Sequence, residues 1–152
     1  LIAIFLAAFE GVVVSTAAPV IVKSLHNFKM ISWIFSIFLL TSAISTPIYG
    51  KLADLYGRKR IFMIGISIFL FGSLLAGLSQ TMHQLIIFRG IQGIGAGAIF
   101  TIGFTMIGDI FTLEERSIIQ GAISTIWGIA GLVGPLLGGF LIDYLSWQWI
   151  FL

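Results

Sequence analysis

Polar and apolar positions in this chain separate into long blocks. Residues 30–50, 61–88, 90–108 and 117–142 carry no charged side chain, and each run approaches or exceeds the ~20 residues that a helix needs to cross a bilayer core. A further apolar run covers roughly residues 1–22 and contains one charge, Glu10. Clusters of polar residues separate the runs, so the pattern predicts spans at 1–22, 30–50, 61–79, 84–108 and 117–142, with the start of a sixth at 149–152. Their short connections make successive helices antiparallel neighbours. The expected fold class is an all-α membrane protein, and strands have no place in it.

Composition agrees with the pattern. Hydrophobic residues make up 59% of the 152 and charged residues 9%, with a mean hydropathy of +1.12. That leaves too little polar surface for a water-soluble globule of this size. The net charge is only +2 and the basic residues sit in breaks between apolar runs, which argues for membrane orientation and against a nucleic-acid partner. Alternating sides place Lys51, Arg58, Lys59, Arg60 and Arg116 together and Lys23 and Lys29 opposite. The positive-inside bias then puts the N-terminus in the cytoplasm. No methionine precedes Leu1 and a new apolar run opens at the far end, so a piece of a longer polypeptide is expected. The first run is unlike a signal peptide, because it lacks a basic lead and carries Glu10 in its middle.

Candidate chemistry is sparse. With no cysteine, thiolate and disulfide arguments vanish, and His26 and His83 lack metal-site spacing and read as loop residues. No cluster of nucleophile, base and orienting group supports an enzyme. Glu10 lies about 12 residues from the outer end of its helix, hence roughly 18 Å deep. Helical periodicity places Leu6, Val13, Val14 and Ala17 on its face. An acid in such surroundings can hold a proton at neutral pH and release it when a lipophilic cation arrives, the alternative being a carboxylate that only hydrogen-bonds a neighbouring helix; intramembrane acids are functional by default. Arg89 lies roughly 9 Å inside its span. It can snorkel outward or turn inward, where Gln92 and Ala96 share its face.

The 18 glycines include two sets that put small residues on one helix face: Gly93 with Gly97, and Gly131 with Gly134 and Gly138. Such faces let backbones approach closely, so the fourth and fifth helices are expected to pack tightly, either statically or as a sliding surface. Pro135 can bend the fifth helix, which favours sliding. Between the second and third spans, Gly57 suits a sharp turn and Asp54 can accept bonds from a helix N-terminus or an arginine. Thr112 and Glu115 fit a capping box, while Glu114 and Arg116 read as solvated loop charges.

Four of these stretches together resemble the major facilitator superfamily, and most closely its drug:proton antiporter branch. The turn from Gly50 to Arg60 is similar to the superfamily's loop between helices two and three at Gly50, Leu52, Ala53, Asp54, Gly57, Arg58 and Lys59, with Leu55 where an arginine is common. Residues Arg89 to Ala96 resemble the fourth-helix motif. Gly134-Pro135-Leu136-Leu137-Gly138-Gly139 resembles the core of the fifth-helix antiporter motif, and Phe9-Glu10 with Val13-Val14 and Ala17-Ala18-Pro19 resembles the first-helix motif, with glutamate for the usual aspartate.

The resemblance implies the N-terminal helical bundle of a plasma-membrane, proton-coupled exporter of amphipathic drugs or similar solutes. In it, helices one and four are equivalent elements of inverted repeats. Glu10, Arg89 and Gln92 would couple protons to substrate, and Asp54, Arg58 and Asp109 would latch a cytoplasmic gate. The implied partners are a lipophilic or cationic small molecule, protons, the bilayer and the remaining half of the same polypeptide, with no cofactor beyond the proton gradient. A symporter importing a small polar solute is the nearer rival, disfavoured by the fifth-helix motif and by the apolar setting of Glu10. A non-transporting membrane sensor is the more distant one.

Overall fold

A computed structural model describes residues 2–25 and 28–151; His26 lies outside them. Five long helices follow one another: α1 (Ile2–Leu25), α2 (Ile31–Tyr56), α3 (Arg58–Gly77), α4 (Met82–Ile110) and α5 (Leu113–Tyr144). Short 3-10 turns at Phe28–Met30 and Trp147–Ile150 precede α2 and follow α5. All five helices are long and apolar enough to cross a membrane. Large apolar side chains such as Ile44, Phe71, Leu132 and Leu136 stand exposed on the helices, where a bilayer would meet them.

Local chemistry sets most boundaries. Thr81 caps α4 by accepting from the Gln84 backbone N–H, and the capping box at Thr112 and Glu115 opens α5. The break between α2 and α3 is tighter than the polar composition of residues 50–60 suggests. Helix α2 continues through Asp54 to Tyr56, and Gly57 alone interrupts it. Its φ of 92° lies in the left-handed region, which side chains with a Cβ avoid. Gly50 and Asp54 are therefore helical residues.

Helix α4 runs against α2 and α3, and α1 pairs with α5. Glycines make the α4 contacts possible. A Cβ on Gly93 or Gly97 would overlap Thr41 or Ser45 of α2, and one on Gly95 would overlap the Phe69 backbone of α3. From the α3 side, a Cβ on Gly72 would lie 2.6 Å from the Gln92 nitrogen. The small face expected on α4 thus packs on α2 and α3, while that of α5 packs on α1. There Gly134 and Gly138 approach Val12, Val13 and Thr16, whereas a Cβ on Gly131 or Gly139 would meet nothing within 4 Å among the described residues.

Apolar clusters fill the bundle at different levels. Ile21, Ile34, Leu85, Trp147 and Phe151 belong to the one at the Trp147 end. Ile4, Phe69, Ala96 and Ile99 form the next, and Tyr49, Ala53, Ile61 and Ile102 lie beneath the Gly57 turn. Along α1 and α4, Glu10, Arg89 and Gln92 fall between the first two.

Candidate functional site

Buried polar groups are costly among apolar neighbours unless they find partners. Glu10 (6% exposed), Arg89 (1%) and Gln92 (0%) find them in one another. Arg89 Nη1 forms an ion pair with Glu10 Oε1 and donates to Gln92 Oε1 at 2.7 Å. One turn of α4 separates Arg89 from Gln92, so both reach the same point on α1. Of the two orientations open to Arg89, the structure has the inward one. The Phe38 ring lies 4.3 Å from its guanidinium carbon and the Phe151 ring 5.8 Å away, in reach of cation–π attraction.

This setting differs from the apolar one expected for Glu10. Val13, Val14 and Ala17 are buried as the periodicity requires, but Leu6 is 47% exposed. The acid faces a guanidinium across the helix interface instead of standing alone. Hydrogen-bonding capacity is left over: Glu10 Oε2, Arg89 Nε and Gln92 Nε2 are buried and make no hydrogen bond of good geometry among the described residues. Arg89 also borders a cavity of ≈ 380 Å³ whose walls include Phe35, Phe38, Phe100 and Trp127, with Gly11 and Ser15 of α1. Sequence reasoning missed these aromatic walls, because an aromatic residue in a membrane span carries no signal that separates a cavity wall from a lipid-facing position.

The second group of charges lies at the Gly57 end, roughly 30 Å away along the 20 residues of α4 between Arg89 and Asp109. Arg58 forms an ion pair with Asp109. Asp54 makes no ion pair among the described residues; it lines, with Gly50, Arg58, Thr101 and Thr105, a small cavity of ≈ 90 Å³. The positive φ of Gly57 sets this arrangement, since it turns the chain so that Arg58, the first residue of α3, reaches the C-terminal end of α4. Lys59 is exposed. Arg116 is not the solvated loop charge expected: its Nε donates to the Phe111 carbonyl at 3.1 Å and its Nη2 to the Gly108 carbonyl. It satisfies carbonyls that the end of α4 leaves open and carries positive charge to the helix's negative pole. Glu114 is exposed. In the antiporter-like segment, Pro135 lies inside α5, between the two glycines that touch α1.

Comparison with known proteins adds to this geometry. Residues 1–152 match the Major Facilitator Superfamily. Multidrug resistance protein 3 of Bacillus subtilis is 44% identical over 151 residues, covering 99% of this chain and 30% of that protein. Multidrug transporter protein MdtP of the same organism is 44% identical over 99% of this chain and 28% of its own length. Efflux pump dotC of Dothistroma septosporum is 39% identical over 99% of the chain and 26% of its own length. The chain therefore spans less than a third of the length of these relatives.

Proposed function

The chain belongs to the major facilitator superfamily, and from that premise we propose that the whole protein exports amphipathic drug-like solutes in exchange for protons. The observation that carries this reading is the buried Glu10–Arg89 pair beside an aromatic-walled cavity. The printed names of the relatives, multidrug transporter and efflux pump, support it.

A proton and a cationic solute can each compete with Arg89 for the Glu10 carboxylate, whose Oε2 makes no hydrogen bond of good geometry among the described residues. Neutralising Glu10 leaves the guanidinium buried without its counter-charge, a state that costs several kcal/mol, about 3–5. That cost disfavours the arrangement observed and drives Arg89 toward a new partner. Aromatic walls suit flat apolar solutes, which bury large areas against them. In the arrangement observed, Gln92 holds Arg89 at the level of Glu10. At the other end, Arg58 and Asp109 fasten α3 to α4 beneath the Gly57 turn, with Gly50 and Asp54 lining the adjoining cavity and Lys59 beside them. In this reading that end is cytoplasmic, the membrane is the plasma membrane, and Gly134, Pro135 and Gly138 form the surface on which α5 moves against α1.

The test uses the full-length protein in vesicles with an imposed pH gradient and a fluorescent lipophilic cation as solute. The parent should export the probe, Glu10→Gln should not, and Glu10→Asp should retain part of the rate because the titratable group survives. Parent-level export by Glu10→Gln would remove Glu10 from the coupling step. Probe uptake together with protons would make the protein a symporter.

A further inference from the structure

Serine and threonine hydroxyls in helices commonly bond back to a carbonyl of their own preceding turn, as Thr41, Ser67 and Ser124 do here. Ser73 of α3 does not. Its Oγ donates to the backbone carbonyl of Phe151 at 2.7 Å, a buried bond between residues 78 apart. Phe151 is 4% exposed and stands edge-on to Trp147, with ring centroids 6.4 Å apart. The Arg89 guanidinium carbon lies 5.8 Å from its ring centroid.

Arg89 needs such support. Among the described residues its two hydrogen bonds both leave from Nη1 and its Nε has no hydrogen-bond partner, so polar contacts hold one corner of a planar group and leave its rotation to be set by packing. The Phe38 and Phe151 rings lie within cation–π reach of the guanidinium, 4.3 and 5.8 Å from its carbon, and ring faces attract guanidinium groups. We propose that Ser73, acting through Phe151, is a positioning residue that holds the Arg89 guanidinium against Glu10. The hydroxyl grips the Phe151 backbone and leaves its ring untouched, so bond and ring can be removed separately. The significance of this clamp for transport rests on the proposed coupling role of Glu10 and Arg89; its existence does not.

The experiment therefore has two readouts on the full-length protein in lipid nanodiscs and vesicles. Side-chain nitrogen NMR of labelled arginine, with the Arg89 signals identified by their loss in Arg89→Lys, reads how freely the guanidinium turns. Slowly rotating, resolved Arg89 signals are expected in the parent and in Ser73→Thr, and averaged ones in Ser73→Ala and in Phe151→Leu, which keeps the carbonyl. The maximal rate of proton-driven export should fall about fivefold in each of the last two, with the half-saturating solute concentration little changed. The double variant should fall no further, because both changes remove one contact. Parent-like Arg89 signals in Ser73→Ala, or a double variant whose loss is the product of the single losses, overturns the proposal. Vesicles in which the parent itself shows no proton-driven export would defeat the coupling reading instead, and the NMR signals would still decide the clamp.

Discussion

Replacing Glu10 by Gln removes the charge opposite Arg89 and changes little else in shape. Arg89 is 1% exposed and its other hydrogen-bond acceptor is the neutral Gln92 amide, so the variant keeps a guanidinium buried with no anion beside it. Removing one member of a buried ion pair costs about 3–5 kcal/mol. The new amide carbonyl can still accept from Nη1, which places the expected loss near the lower limit, about 3 kcal/mol, or roughly a hundredfold in the folded-to-unfolded ratio. Replacing both members by uncharged groups of similar volume removes the stranded charge, and such replacements are often neutral. Glu10→Gln/Arg89→Met should accordingly recover most of the stability lost in Glu10→Gln while remaining without proton-driven export. Thermal unfolding of the purified full-length protein, followed by tryptophan fluorescence and paired with vesicle export, separates the two quantities. A single variant that unfolds at the parent's temperature, or a double variant less stable than the single one, would refute the view that Glu10 and Arg89 form one buried, coupled unit.

Three further outcomes follow from other contacts. A Cβ at Gly134 would lie 2.7 Å from Val12 Cγ1 whereas one at Gly139 meets nothing within 4 Å among the described residues, so Gly134→Ala should slow export and cost about 1–3 kcal/mol of stability while Gly139→Ala matches the parent in both assays. Gly57→Ala forces a side chain onto a φ of 92° and should destabilise by about 1–2 kcal/mol, seen as a lower unfolding temperature. Arg58 and Asp109 are 33% and 50% exposed, where a pair is worth about 1 kcal/mol or less; Arg58→Lys and Asp109→Asn should each raise cysteine labelling of the pathway from the Gly57 end by no more than about fivefold, and labelling rates equal to the parent's in both would leave Arg58 a topology anchor.

The helices were legible because bilayer-length apolar runs admit few alternatives to a helix. Their ends were less so. Residues 50–60 read as a turn because they are polar, yet polarity does not stop a helix: Lys51, Leu52, Ala53 and Leu55 are all good helix formers, and α2 ends only where Gly57 takes a positive φ. That one torsion also decides the charge pairing. Arg58 and Asp54 are four residues apart in sequence, but the backbone turns between them and Arg58 meets Asp109 instead. Glycine faces were visible on α4 and α5, but which helix each face meets depends on the bundle's arrangement, and α4 turned its glycines to α2 and α3.

The ion pair was only partly legible: the resemblance grouped both of its members at one site, but nothing in the sequence gave their direct contact. Counting inward from predicted helix ends put Glu10 roughly 18 Å deep and Arg89 roughly 9 Å deep, which would keep them apart. The count assumes that helix ends share one plane, and they do not: Met82 and Leu85, in the first turn of α4, pack in one cluster with Val14, Ala17, Ile21 and Val22 of α1. Helix α4 therefore begins level with the interior of α1, and Arg89 comes to the depth of Glu10. The consequence for the proposed exchange is chemical. An isolated acid would have only a proton and a solute to choose between, whereas Glu10 has a third, built-in competitor in Arg89. Under that proposal, any event that occupies the carboxylate would also release a buried cation, and that release would link binding at the middle of the bundle to movement of the helices around it.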